Sequence, residues 1–148
     1  MSYQLINSYC TPKPFIVVGG DELTMEWTEK DVNTASPDVF GPPVWFTLHN
    51  GAAHLPQDIS PISMSRIRGF IDGIPDMLVA CAVCSEHARS FVENNKQRIM
   101  SLKTGDDVFN FYVDFHNYVN NRLGKPIVSY SDARKLYNGR KAKVFKYK

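Results

Sequence analysis

Cysteine is scarce in this chain: Cys10, Cys81 and Cys84 are the three in 148 residues. Three cannot all pair within one chain, which excludes a disulfide-stapled secreted scaffold. Long apolar runs are also missing. The longest, Met77 to Val83, falls far short of the roughly 20 residues that cross a bilayer, so no membrane span is expected. Met1-Ser-Tyr-Gln-Leu carries no basic segment followed by an apolar one, and a signal peptide is not expected either. The formal net charge of +2 lacks the excess of a dedicated nucleic-acid binder, and no nucleic-acid partner is expected. The basic residues that do gather, Arg140, Lys141, Lys143, Lys146 and Lys148, read as a solvated C-terminal tail over 139–148. There is no internal repeat, no low-complexity tract and no Gly-x-Gly-x-x-Gly phosphate loop.

What is present starts with two of those cysteines. Cys81 and Cys84 form a Cys-x-x-Cys inside the apolar segment Val79-Ala80-Cys81-Ala82-Val83-Cys84. A pair this close can form a disulfide on a helical turn, and either sulfur can be attacked by an incoming thiolate. Without a secretion signal, a transient catalytic disulfide suits the compartment better than a structural one. The same spacing also permits half of a zinc site, or two small buried hydrophobes. The pair alone leaves these open.

With 43% hydrophobic residues, a chain of this length can bury a core without staples. Composition changes near residue 41. Residues 1–40 hold Pro12, Pro14, Gly19, Gly20 and Pro37 and one β-prone run, Phe15 to Val18, and read as an irregular extension. From Gly41 the pattern is helical. Pro42 and Pro43 suit a helix start, giving a first helix from about Val44 to Leu55 that stops at Pro56. A second follows Pro61 and ends before Pro75, and a third runs from about Cys81 to Glu93. Residues 106–123 give the strongest signal, with Thr104 as N-cap, two aspartates in the first turn and Gly124 as the stop. A short fifth helix covers 131–137. The expected fold is all-α, a four-helix bundle with a short fifth helix and an irregular N-terminal extension.

Polar residues on these helices carry the next clue. Trp45 and His49 are four apart and share a helix face. His116, Asn117, Asn120 and Asn121 cluster on a helix otherwise built from Val108, Phe109, Phe111, Tyr112, Phe115 and Val119. Such a stripe is poor core filling unless something polar lies against it; the alternative is an exposed face with terminal asparagines.

The set Trp45-x-x-x-His49, Cys81-x-x-Cys84 and His116-Asn117-x-Val119-Asn120-x-x-Leu123-Gly124-Lys125-Pro126 resembles the Erv/ALR family of FAD-linked sulfhydryl oxidases over roughly residues 41–137, about two thirds of the chain. The Asn-Asn-Arg-Leu segment and Tyr130 are most similar to the forms carried by large double-stranded DNA viruses. The resemblance implies an FAD-binding domain over 41–138, with the flavin held in the mouth of the bundle. It implies a thiol oxidase that passes electrons from client protein thiols through the Cys81–Cys84 disulfide to FAD and then to oxygen, giving hydrogen peroxide. Cys84 would be the flavin-proximal sulfur and Cys81 the one that exchanges with the client. Trp45, His49, His116, Asn117, Val119 and Asn120 would pack around the cofactor, with Lys125 at a phosphate, Tyr137 as a stacking aromatic and His87 near the flavin edge. A homodimer through the first two helices, and a location in the host cytoplasm or virion, also follow from the resemblance.

Departures from the family's pattern are equally legible. Many relatives carry a second, shuttle cysteine pair in a flexible arm, where this chain offers Cys10. Clients then reach Cys81 directly, Cys10 pairs between subunits, or it is a small residue in an arm. Cellular relatives also brace the bundle with a disulfide from a cysteine shortly after the Lys-Pro; here that position holds Tyr130. Two further readings of the Cys-x-x-Cys compete. A structural zinc module would use Cys81, Cys84, His87 and either His49 or His116. A thioredoxin-type reductase would need strands beside the motif, where the flanks read as helix.

Overall fold

The computed structural model of the chain describes residues 33–137. The expected strand over 15–18, Cys10 and the basic tail lie outside them. Among the described residues there are six helices: α1 (Pro37–Ala53), α2 (Pro61–Met77), α3 (Ala82–Asn94), α4 (Lys96–Ser101), α5 (Gly105–Arg122) and α6 (Tyr130–Tyr137). The expectation of an all-α bundle is borne out. No helix among the described residues is long and apolar enough to cross a membrane.

Two boundaries and one element differ from those expected. α1 starts at Pro37, with Pro42 and Pro43 inside it. Proline fixes a helix-compatible φ but lacks the amide donor, so α1 runs through Pro42 and Pro43 without their two internal bonds, while Pro37 sits at N1, where no donor is missed. α2 continues past Pro75 to Met77. The ring of Pro75 is buried, and its carbonyl accepts from Ser85 Oγ at 2.8 Å and from the Leu78 amide at 3.2 Å. A proline in the last turn removes few helical bonds, and its burial in the core offsets them. α4 was not expected at all, because six residues give no helical window to read. It carries Ile99 into the core, and the Arg68 guanidinium caps its end by donating to the Leu102 carbonyl at 2.7 Å.

Helix α5 is the axis of the fold. Thr104 and Asp107 form a capping box: the Asp107 amide donates to Thr104 Oγ1 at 3.1 Å and the Thr104 amide to Asp107 Oδ2 at 2.9 Å. The Lys103 amide also donates to Asp107 Oδ2, at 2.9 Å, and it and the Thr104 amide hold the Asp107 carboxyl below its usual range. Past the cap, Val108, Phe109, Phe111, Tyr112, Val113 and Phe115 are all buried. Each such side chain contributes on the order of 2 kcal/mol of burial. α5 packs on α1 and α6, and α2 packs on α3 and α4. Phe91 of α3 joins the two halves, with its ring 4.9 Å from Phe115 and 5.5 Å from Phe111. Gly124 ends the C-terminal cap at φ +65°, a conformation that other residues rarely adopt.

Candidate active site

Cys81 is the N-cap of α3 and Cys84 occupies its first turn. Their sulfurs are joined at 2.07 Å, and the Cys84 amide donates to Cys81 Sγ at 3.2 Å. The connection from α2 turns through a bond from the Cys81 amide to the Leu78 carbonyl at 2.9 Å. Both sulfurs therefore lie at the positive end of a helix dipole, which favours the thiolate that exchange chemistry requires. Both cysteines are partly exposed.

A second group forms where α1, α5 and α6 meet. The Trp45 indole and His116 imidazole are parallel to within 2°, with ring centroids 4.0 Å apart. Phe115 packs edge-on against the indole at 5.1 Å. His49 Nε2 and His116 Nδ1 lie 3.0 Å apart, and the Tyr137 ring stacks on His49 at 5.3 Å. Burial pushes His49 down to about 3, with the neighbouring His116 adding to the shift. Burial first, and then the charge of Lys125, pushes His116 down to about 4. Both imidazoles are neutral at physiological pH.

Lys125 belongs to the loop after α5, which is tied to that helix by its own asparagines. Asn117 Nδ2 donates to the Val128 carbonyl at 2.8 Å and its Oδ1 accepts from the Val128 amide at 2.9 Å. Each of these amide atoms keeps one further hydrogen-bonding position. Asn120 Nδ2 donates to the Pro126 carbonyl at 3.3 Å, and the Asn120 main-chain carbonyl accepts from the Lys125 amide at 2.8 Å. Val119 is a half-buried neighbour of the core. Tyr130, at the start of α6, donates to Asp114 Oδ2 at 2.7 Å, and Arg98 pairs with the same oxygen at 2.6 Å.

Two buried nitrogens of this region have no hydrogen-bond partner among the described residues: His49 Nδ1 and His87 Nδ1. His87 Nε2 is 3.5 Å from Arg122 Nη1, which links α3 to the end of α5. The zinc reading of Cys81, Cys84 and His87 finds no ligand set. The two sulfurs are bonded to each other, and among the described residues no three His, Cys, Asp or Glu side chains converge as metal ligands.

The structure thus brings Trp45, His49, His116 and Tyr137 into one cluster and hangs Lys125 beside it. Phe115, Arg122, Val128 and Asp114 were not singled out from the sequence. Phe115 was signalled by its place directly before His116; the other three act through partners distant in sequence and had no local signal.

A helical bundle that holds a Cys-x-x-Cys disulfide at a helix N-terminus, with a cluster of histidine and aromatic rings on neighbouring helices, defines a class of redox protein. The model of the Erv1 / Alr family matches residues 42–138, and the chain belongs to that family. It is 38% identical over 105 residues to the provisionally named FAD-linked sulfhydryl oxidase 347L of Invertebrate iridescent virus 6, covering 68% of this chain and 94% of that protein. It is 37% identical over 108 residues to the provisionally named FAD-linked sulfhydryl oxidase 088R of Frog virus 3, covering 68% of this chain and 67% of that protein. Both relatives are viral, in keeping with the resemblance carried by Asn-Asn-Arg-Leu and Tyr130. The crystal structure of the yeast Erv1 core shares the fold, with a TM-score of 0.66 at 18% identity over 81% of this chain and 98% of that one.

Proposed function

We propose that this chain is an FAD-dependent thiol oxidase that forms disulfides in client proteins. The observation that carries the reading is the Cys81–Cys84 disulfide at the N-terminus of α3, in a family whose viral relatives bear the name FAD-linked sulfhydryl oxidase.

The residues present fit FAD. Trp45 and His116 offer flat parallel rings, and the unpartnered Nδ1 atoms of His49 and His87 are buried polar groups that a cofactor can satisfy. Trp45, His49, His116, Asn117, Val119, Asn120, His87 and Tyr137 would hold it, and Lys125 would meet its diphosphate as a point charge. Bound FAD supplies the two-electron acceptor that returns the pair to molecular oxygen, giving hydrogen peroxide.

The remaining steps belong to the protein. A client thiolate attacks Cys81 Sγ; the client–Cys81 bond forms, the Cys81–Cys84 bond breaks, and Cys84 leaves as a thiolate. A second client thiolate attacks the client sulfur of that mixed disulfide, and Cys81 leaves as a thiolate at the helix N-cap, where the Cys84 amide donates to it. The client has then lost two electrons and two protons. Cys84 faces the cofactor and Cys81 the client.

The same reading makes residues 41–138 the catalytic domain, 1–40 an extension and 139–148 a tail. It also makes the chain a homodimer through α1 and α2, supported by the exposed Ile62 and Phe70 of α2. Its location would be the host cytoplasm or the virion.

The test is direct. The purified protein should be yellow, consume oxygen with dithiothreitol and release hydrogen peroxide, and Cys84→Ser should keep the flavin and lose turnover. A colourless protein, or full turnover by Cys84→Ser, overturns the proposal.

A further inference from the structure

The segment that carries the disulfide is unlike the rest of the surface. From Met77 to Cys84 no side chain is charged, and none but the cysteines carries a polar group. Leu78 packs against the core, but the other apolar members are open to solvent: Met77 is 71% exposed, Val79 72% and Val83 55%, and Ala80 and Ala82 are exposed between them. Elsewhere an exposed apolar side chain such as Ile62 or Met100 is followed by a serine. Single exposed hydrophobes are ordinary; a continuous exposed apolar stretch marks an interaction site.

We propose that Val79, Ala80 and Val83 form a docking rim around Cys81, and that its occupant is a client polypeptide whose reacting cysteine is flanked by apolar side chains. The proposal rests on the thiol oxidase reading above. What commits the surface to this occupant is its continuity with the disulfide. The residues flank Cys81 on both sides in a turn closed by the bond from the Cys81 amide to the Leu78 carbonyl, so a thiol reaching Cys81 Sγ meets them on the way. The ion pair at the border, Asp76 with Arg89 at 2.8 Å, is already formed within the protein, so the nearest cation, Arg89, is already paired when a thiol arrives. A thiol carrying carboxylates, such as glutathione, would lose hydration against this rim and find no counter-charge. A polypeptide with leucine or valine beside its cysteine would instead remove apolar area on both partners from water.

The exchange is the one already described: the client thiolate bonds to Cys81 Sγ as the Cys81–Cys84 bond breaks, and a second client thiolate completes the client disulfide. The two electrons and two protons that the client loses reduce Cys81 and Cys84. Docking therefore acts on the client's kcat/KM and leaves the chemistry unchanged.

Dithiol peptides with Leu or with Glu on either side of the cysteines are compared with dithiothreitol as substrates of the holoenzyme, by oxygen consumption. The Leu peptide should exceed the Glu peptide by about tenfold or more in kcat/KM, the factor expected from burying one exposed valine. Val79→Glu and Ala80→Glu should each lower the ratio of Leu-peptide to dithiothreitol turnover by a similar factor, and Val79→Ile should keep it at the wild-type value. Equal use of the two peptides, or an unchanged ratio in both glutamate variants, overturns the docking proposal. So does a change of oligomeric state at an unchanged ratio, which assigns the surface to a second copy of the chain. Failure of the thiol oxidase reading itself is separate, because wild-type protein would then not oxidise dithiothreitol at all.

Discussion

His49 Nε2 and His116 Nδ1 face each other at 3.0 Å across the α1–α5 junction. Two imidazole nitrogens at that distance share one proton: one ring donates and the other accepts, so the pair exists with both rings neutral. A second proton would set two N–H groups against each other in a site shielded from water. Burial agrees with the geometry, since both groups are pushed well below the ordinary histidine value of 6.5, to about 3 and about 4.

Stability should therefore fall with pH in a defined window. A histidine whose folded value is depressed binds its proton in the unfolded chain first, so the unfolded state takes up more protons as pH falls below about 6.5. The contribution is fully present above that value and is lost progressively toward the folded values near 4 and 3. Melting temperature measured from pH 8 to pH 4 should be flat above about 7 and fall steadily below 6. His49→Gln/His116→Gln should flatten that decline, and an unchanged slope in the double variant would refute this account.

Gly105 is required by closeness rather than by its dihedral angles. A Cβ there would lie 2.6 Å from the Leu55 carbonyl oxygen and 2.8 Å from that of Pro56, while the Gly105 amide donates to the Pro56 carbonyl at 3.1 Å. Neither backbone oxygen can swing away as a side chain would. Gly105→Ala should cost about 1–3 kcal/mol by overpacking, and lower the melting temperature by roughly 2–4 °C for each kcal/mol. Urea unfolding measures it, and a shift under about 0.5 kcal/mol would show that the junction yields.

Tyr130 ties α6 to α5 through a hydrogen bond. Its hydroxyl and the Arg98 guanidinium converge on Asp114 Oδ2, tying the start of α6 and the end of α4 to α5 without a covalent link. Tyr130→Phe should cost about 0.5–1.5 kcal/mol. Its effect should shrink to near zero in an Asp114→Ala background, because neighbours in one network do not add. Melting should also be insensitive to reductants at this site. Full additivity of the two substitutions would exclude the network.

How much of this was legible depends on whether the signal was local. α5 reads directly from sequence because its cap, acidic first turn, apolar period and glycine stop all fall within about 20 residues. The start of α1 and the end of α2 do not, since a proline's meaning depends on what surrounds its ring; Pro75 is tolerated because it is buried. The site divides in the same way. Cys81, Cys84 and the Trp45–His49 spacing are local, whereas the His49–His116 contact joins residues 67 apart and exists only once α1 lies on α5.

Asn117 is where the two kinds of information meet. Its residue type and position pointed to a cofactor contact, and its carboxamide holds the Val128 amide and carbonyl. The loop so fixed carries Lys125, whose charge adds to the burial that depresses His116. Asn117→Ala would leave two part-buried main-chain groups unpaired and should cost about 2–3 kcal/mol. On the FAD reading, the loss should also loosen the loop and weaken flavin retention. Two measurements separate these effects: global melting by circular dichroism, and flavin release followed by the rise of free-flavin fluorescence. Asn117→Asp keeps one acceptor for the Val128 amide and should fall between wild type and Asn117→Ala in both. If flavin release tracks global unfolding in every variant, Asn117 supports the fold alone. If release comes several degrees before unfolding in Asn117→Ala, Asn117 positions the loop that holds the cofactor.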